Sequence, residues 1–522
     1  MSRLLRMSGL ILLSLVASLS VFSQPANIDM EVFSKIPMFD PFINMYKDEC
    51  AVCHGEDLQG APLGTPLVGI DLRHGDTVEE IAKNIADGFP DTGMPSWSDT
   101  KNQNQIWNLA LYVAEQRQGT TILDKRDKIP LEIPDGVVKT ERHSFRIKMI
   151  ATGLDPMPFS IAPLPEGGFL VSERMRGLTI VSDDGVQSDP ISGTPPTYSD
   201  SSLFLGQVMG LGWMLDVALH PNYEDNGWIY IHFTDRCKDC NKVSLKYGKP
   251  VSMNKLIRGR IKDGAWVNEE TIWEAEIETY SATSDLTSGG RIAFDDRGYV
   301  YISVGMKDVY DFMGTQDLDL PYGKIIRVHD NGHIPTDNPF VDSEGALPSI
   351  WTYGHRSQQG LEFNPQTGDV WSTEMGPRGG DELNRLVKGG NYGWPIFTSG
   401  VNYDGRPVDV ADQLGIELDE ADVVFPVVDW SPAIAVSSFI FYQGTEFPEW
   451  NNNIILGTLR ATDLMRLEAV DNEVVRKEVL LENLARFRDI EQGPNGELYV
   501  LLEHASGSQI IRLRPAQSGD AG

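Results

Sequence analysis

The chain has 522 residues, 44 of them Lys or Arg against 75 Asp or Glu, and a formal net charge of −31 at neutral pH. That length can bury a large core and exceeds one folding unit. The acidic surface repels phosphate backbones and argues against nucleic acid as a partner; it serves solubility, or matches a basic redox partner. In chain order, the opening "MSRLLRMSGLILLSLVASLSVFSQPA" carries Arg3 and Arg6, an apolar run from Leu10 to Val21 and small residues before Gln24. It reads as a signal peptide over residues 1–23. The alternative, an uncleaved anchor, has too short an apolar run to span a bilayer. No later stretch is apolar enough to cross a membrane, so the mature protein is expected to be soluble, in the periplasm or secreted, where cysteines pair or carry cofactors.

Three helical patterns follow, "DPFINMYKDEC", "TVEEIAKNIADG" and "NQNQIWNLALYVAEQRQ", the last with Ile106, Leu109, Ala110 and Val113 on one face. Between the first two lies "CAVCH", in which Cys50 and Cys53 are followed directly by His54. Haem vinyl groups add to two thiols one turn apart, and the adjoining imidazole reaches the iron. A structural zinc site would need two further ligands nearby, and a redox dithiol would not need the histidine. "DTGMPSW" offers Met94 as sixth ligand, a thioether that raises the potential and closes the iron to small molecules; the alternative is a loop packing residue. These features resemble a class I cytochrome c domain with covalent haem c, expected over 24–125.

After a polar linker over 126–142, helical periodicity stops and a turn rich in Pro, Asp, Asn and Gly recurs before a short β-prone run. The units are "APLPEGGFLVSE", "LHPNYEDNGWIYIHF", "FDDRGYVYISVG", "FNPQTGDVWSTE", "FPEWNNNIILGTL" and "QGPNGELYVLLE". Roughly sixty residues per unit accommodate a four-stranded sheet, and such sheets bury both faces by packing round an axis. The fold class expected is mainly β: a six-bladed β-propeller over 143–517, preceded by the small all-α domain and followed by a tail at 518–522. A β-sandwich pair would leave the recurrence unexplained.

Longer stretches are more particular: "GLGWMLDVALHPNYEDNGWIYI", "GGRIAFDDRGYVYISVG", "IWTYGHRSQQGLEFNP", "EMGPRGGDELNRLVKGGNYGWP" and "RFRDIEQGPNGELYVL". Together they resemble the soluble glucose/aldose sugar dehydrogenases, the glucose/sorbosone dehydrogenase family. The resemblance implies a six-bladed propeller that binds pyrroloquinoline quinone (PQQ) and Ca2+ at the channel mouth and oxidises a small-molecule substrate, with the fused cytochrome as electron acceptor and a redox protein or respiratory chain downstream. It places Arg356, Arg460, Arg486 and Arg488 at the quinone's carboxylates, where forked guanidiniums suit a partly dry anionic site; for Arg460 and Arg488 a surface ion pair is the alternative. It gives the metal main-chain carbonyls of Gly376 and Pro377, an arrangement calcium tolerates, with Asp381 and Glu382 either binding the metal or bracing the loop.

The chain departs from the family on the substrate side. Thr287 stands where the family has its proton-accepting His, and a threonine alone cannot take the hydroxyl proton. Leu211 and Ser357 replace the usual Gln and Asn. Three readings follow: a quinone dehydrogenase for another sugar, alcohol or aldehyde, with Asp285 or Asp216 as base; a calcium-bound, lactonase-like hydrolase without quinone; or a non-catalytic propeller that places the cytochrome. Asp285 is the preferred base, since burial beside the quinone would raise its pKa. Among the remaining residues, His220 is expected to be a hydrogen-bonded turn residue, Cys237 and Cys240 a local disulfide or a metal site, and Trp430 a cofactor-stacking or a core residue.

Overall fold

The computed structural model describes residues 41–119, 130–204, 207–307, 314–403, 405–408, 410–411 and 415–516. The signal peptide expected at 1–23, part of the expected linker and the tail at 518–522 lie outside the described residues.

At the front are helices Pro41–Glu49, Ala51–His54, Val78–Asp87 and Gln103–Arg117. The second pair start on reciprocal caps: Thr77 with Glu80, and Asn102 with Gln105, each side chain satisfying a backbone N–H of the other end of the box. Ile106, Leu109, Ala110 and Val113 are buried as the periodicity requires, together with Tyr46, Leu58, Val78 and Ile81. The last helix, however, is buried on almost every side from Asn108 to Glu115. Its second face lies on the following domain, where Asn108 Nδ2 donates to the Gly405 carbonyl at 2.6 Å.

That domain is a six-bladed propeller. Its innermost strands are Pro158–Pro163, Met214–Leu219, Gly289–Phe294, Gln358–Asn364, Val436–Phe441 and Arg486–Gln492. Each touches the next, and the last touches the first, so the ring is closed. Among the described residues, blade 1 has three strands and blades 2 to 5 have four. Blade 6 is assembled from both ends of the domain: Arg486–Gln492, Leu498–Glu503 and Ser508–Pro515 are joined by Ser144–Leu154, with Ile147 opposite Leu513 and Met149 opposite Ile511. Antiparallel pairing across this seam removes a free edge.

Every recurring apolar run found in the sequence is the second strand of a blade: Phe169–Glu173, Ile229–Cys237, Tyr299–Val304, Asp369–Glu374, Ile454–Thr458 and Leu498–Glu503. A second strand has neighbours on both edges and sheets on both faces, so it is buried almost throughout, at every position of Phe169–Glu173 and at all but the first of Asp369–Glu374. The topology also decides where function can sit. In an up-and-down blade, the loop entering the inner strand and the loop between the second and third strands emerge at the same end of the ring.

The closing strand is anchored by a charge. Glu478, on the outer strand Glu473–Leu481 of blade 5, accepts from Thr140 Oγ1 (2.5 Å), Arg142 N (3.0 Å) and Arg466 Nε (3.0 Å), and His143 Nδ1 lies at 2.9 Å. Burial pushes this carboxyl upward, but these hydrogen bonds prevail and hold it at about 2, below its ordinary 4.5. A depressed folded-state value means stability that is complete above pH 4.5 and lost as the pH falls toward 2. Glu478→Gln should therefore melt below the native protein at neutral pH, with the gap narrowing on acidification through that window; parallel melting curves across the pH series would refute the anchor.

Candidate active site

In the front domain, Cys50 precedes the single turn Ala51–His54, and both Cys53 N and His54 N donate to the Cys50 carbonyl, at 3.1 and 3.0 Å. The turn brings Cys50 and Cys53 onto one side of the helix as unpaired thiols. Burial raises the Cys50 thiol to about 11, so it is held protonated. His54 Nδ1 donates to the Thr65 carbonyl at 2.8 Å, which fixes the tautomer and leaves Nε2 for a metal. Met94 follows left-handed Gly93 and is pinched by reciprocal backbone hydrogen bonds with Phe89, at 2.8 and 3.1 Å. A thioether is thus presented from a short constrained loop.

In the propeller, Arg356, Arg460, the Gly376–Pro377 turn, Asp285 and Thr287 lie at one end of the ring, in loops entering inner strands or joining second to third strands, and Arg486 and Arg488 begin an inner strand at that end, whereas His220, between a first and a second strand, is at the other. Arg356 enters blade 4 and is 7% exposed. Its Nη1 donates to the carbonyls of Met375 and Gly376, both at 2.8 Å, and its guanidinium lies 5.3 Å from the centroid of the Trp394 ring. Its buried Nε has no hydrogen-bond partner among the described residues, nor has either end of the buried Gln358 amide. The surrounding cleft is lined by Arg356, Glu374, Gly376, Glu382, Tyr392 and Trp394, among others.

The Gly376–Pro377 turn is braced from behind. Asp381 accepts from Gly376 N at 2.9 Å and from Val436 N at 3.2 Å; burial raises its carboxyl to about 6, against the pull of nearby Arg460. Burial and the neighbouring Glu374 carboxylate push Glu382 well above the usual range. Arg460 reaches the Ala433 carbonyl at 3.4 Å, and Arg486 reaches the adjacent Leu459 carbonyl at 3.1 Å. Arg460 and Arg486 thus meet at neighbouring main-chain carbonyls where blades 5 and 6 join, while of the four arginines it is Arg356 that lines the cleft.

They are not equivalent. Arg486 Nε and Arg488 Nε share the Glu503 carboxylate, at 2.8 and 2.7 Å. Burial lowers Arg488 to about 10 in spite of that partner. Glu503 escaped sequence reading, although the repeat contains its signal. The second strands of blades 1, 4 and 6 end alike in "LVSE", "WSTE" and "VLLE", and their glutamates, Glu173, Glu374 and Glu503, are all buried.

Asp285 is 2% exposed, and its oxygens accept from Gly212 N (2.6 Å), Thr234 Oγ1 (2.5 Å), Ser252 Oγ (2.7 Å) and the buried Lys307 ammonium. Four donors occupy a carboxylate expected to be open to a substrate. Thr287 Oγ1 donates to the Met306 carbonyl at 2.7 Å, and Met306 N donates to the Arg356 carbonyl at 2.7 Å, so this loop and Arg356 belong to one wall. Asp216 lies on an inner strand and accepts from Val217 N and Ile292 N, with Arg291 Nη1 at 3.6 Å; burial raises it to about 6. His220 is a turn residue whose Nδ1 accepts from Asn222 N at 2.9 Å. Cys237 and Cys240 form a disulfide. The aromatic rings at the cleft are those of Tyr392, Trp394 and Phe397; Trp430 instead packs beneath the Lys477 ammonium.

Comparison with known proteins follows the same division of the chain. Residues 44–113 match the family described as cytochrome C oxidase, cbb3-type, subunit III, and residues 155–512 match glucose/sorbosone dehydrogenase. The aldose sugar dehydrogenase YliI of Escherichia coli (strain K12) is 33% identical over 361 residues, covering 69% of this chain and 90% of that protein. Quinoprotein glucose dehydrogenase B of Acinetobacter calcoaceticus is 24% identical over 488 residues, covering 78% and 95%. The solved apo structure of the soluble aldose sugar dehydrogenase of Escherichia coli superposes with a TM-score of 0.61 at 30% identity, over 71% of this chain and 100% of that one. With more than half its length matched by one family, the chain belongs to the glucose/sorbosone dehydrogenases, with a cytochrome c domain joined in front of the propeller.

Proposed function

We propose that the chain is an exported dehydrogenase that oxidises a sugar, alcohol or aldehyde with PQQ and Ca2+ and passes the electrons to its own haem c, held by Cys50, Cys53, His54 and Met94. The observation that carries this reading is Arg356: a buried guanidinium with an unspent Nε, beside an aromatic ring, at the loop end of a propeller of this family. The names borne by the relatives, aldose sugar dehydrogenase and quinoprotein glucose dehydrogenase, point the same way. Export rests on the leader at residues 1–23, and the electrons' onward route on a downstream redox protein or respiratory chain.

When bound, PQQ supplies the two-electron oxidant. Arg356 and Arg460 would hold its carboxylates, with Arg486 and Arg488 lending positive charge from behind Glu503, and Trp394 would give it a flat wall. Calcium would take the Gly376 and Pro377 carbonyls. Because Arg356 Nη1 already occupies the Gly376 carbonyl, the metal and the anionic cofactor should bind together, as the guanidinium turns toward carboxylate. Asp285 is given a positioning role: accepting a proton would cost it the Lys307 pair, whereas the pair as it stands props the loop carrying Thr287. The engaged state of Asp285, with Thr287 in place of an imidazole, is also what favours the alternative reading, a calcium-binding propeller, non-catalytic or hydrolytic, tethered to an electron-transfer cytochrome.

The readings separate by experiment. Haem-loaded protein reconstituted with PQQ and calcium should show haem reduction at its visible bands on addition of one or more members of an aldose, alcohol and aldehyde panel. Arg356→Ala should reduce that rate by about 100-fold or more. A silent panel, or lactone hydrolysis without haem reduction, would transfer support to the alternative. Titration calorimetry should find calcium binding at least about tenfold tighter in the presence of PQQ than in its absence, the coupling expected of two ligands that favour one arrangement of Arg356; equal affinities would remove calcium from the turn. Asp285→Asn should destabilise the propeller by about 3–5 kcal/mol by stranding the Lys307 charge, and Asp285→Asn combined with Lys307→Met should recover much of that loss in denaturant unfolding.

A further inference from the structure

Arg378 directly follows the Gly376–Pro377 turn and is completely buried, but its partner lies in the other domain. Its Nε and Nη2 donate to the two oxygens of Glu115, at 2.9 and 2.7 Å, and the two side chains are 0% and 3% exposed. Neither charge could remain there without the other. The Arg378 main chain is pinned as well: its N–H and C=O exchange hydrogen bonds with Val401, at 3.0 and 3.2 Å, and Val401 is buried in the core of the cytochrome domain. Asn108 grips the Gly405 carbonyl from the same helix, and at Gly405 a side chain would collide with Phe42 and Asn108, at 2.0 and 2.5 Å from the added carbon. Asn108, Tyr112 and Glu115 are spaced so as to share one helix face. The segment from Gly376 to Gly405 is thus cleft wall at one end and cytochrome seat at the other.

We propose that the Glu115–Arg378 pair is a positioning latch that fixes the cytochrome domain on the wall of the propeller cleft, so that electrons cross between the domains in one set geometry and not through diffusion on a flexible linker. Arg356, through the Gly376 carbonyl, and Arg378 hold main-chain positions two residues apart in one turn. The helix Gln103–Arg117 is therefore seated two residues from the carbonyl that Arg356 holds, which sets the cytochrome domain beside the cleft. The inference deepens the dehydrogenase reading and rests on it for the electron transfer, while the latch itself is testable without PQQ.

The test uses the full haem-loaded chain with Glu115→Gln and Glu115→Lys, and Asn108→Ala as an independent lesion of the same face. In small-angle scattering without PQQ, native protein should be compact; Glu115→Lys should show a larger radius of gyration and faster proteolysis between the domains, with unchanged haem absorption bands. After loading with PQQ and calcium, substrate-driven haem reduction should fall at least about tenfold in Glu115→Lys, since lost positioning is paid in rate, while reduction of a small soluble dye stays within about twofold. Glu115→Gln and Asn108→Ala should lie between. A variant that remains compact and keeps its native haem reduction rate would overturn the latch, as would a native protein already extended in solution. If native protein reduces neither dye nor haem with any substrate, the dehydrogenase reading fails, and scattering and proteolysis alone decide the latch.

Discussion

The structure depends first on the antiparallel pairing of Ser144–Leu154 with Ser508–Pro515. A ring of twisted sheets has no closed core until its last blade contacts its first, and here that blade contains strands from both ends of the domain. The seam buries Phe145, Ile511 and Leu513 in one apolar cluster with the outer part of blade 5. All six inner strands then converge on one axis, and loops distant in sequence become neighbours at one end. Arg356, Arg460, Arg486 and Arg488, carried by blades 4, 5 and 6, lie at that end only because the ring is shut.

At that end the organising constraint is desolvation. A buried charge needs a partner, and the mouth shows three solutions. Arg486 and Arg488 share Glu503; Asp285 is surrounded by hydroxyls, an amide and Lys307; Arg356 is satisfied by carbonyls on one side and left with an open Nε on the other. The first two are self-contained and hold backbone in place. The third leaves a buried donor unspent among the described residues. Near Asp285, whose hydrogen-bonding capacity is spent internally, the Thr287 hydroxyl is likewise committed, to the Met306 carbonyl.

The front domain is more than a tethered carrier. Its last helix is buried on both faces, one in its own core and one on the segment from Gly376 to Gly405. The contact combines a bidentate ion pair, an interdomain hydrogen bond to a glycine carbonyl and an aliphatic residue lent by the propeller to the cytochrome core. Such a mixture has directional requirements that apolar contact alone lacks, so it selects one orientation.

The haem motif was legible in the chain because Cys50, Cys53 and His54 are neighbours in sequence and one helical turn brings them together. The six blades were legible because each second strand, covered on both faces, follows a turn rich in Pro, Asp, Asn and Gly, so the recurrence survives even as the outer strands vary. Arg356, Arg460, Arg486 and Arg488 could be named from local motifs, each being recognisable within its own loop. The pairing of charges could not. Glu503 recurs in type at the end of three second strands, but nothing along the chain pairs it with Arg486 and Arg488, Lys307 with Asp285 or Glu115 with Arg378, and the residues that enclose Asp285 come from segments more than twenty positions away. Sequence alone determined which local elements form, since hydrophobic period, caps and covalent neighbours act over a few residues. Only the tertiary structure decided which charges are spent and which remain available, because burial and pairing are properties of atoms brought together by closing the ring and seating one domain on the other.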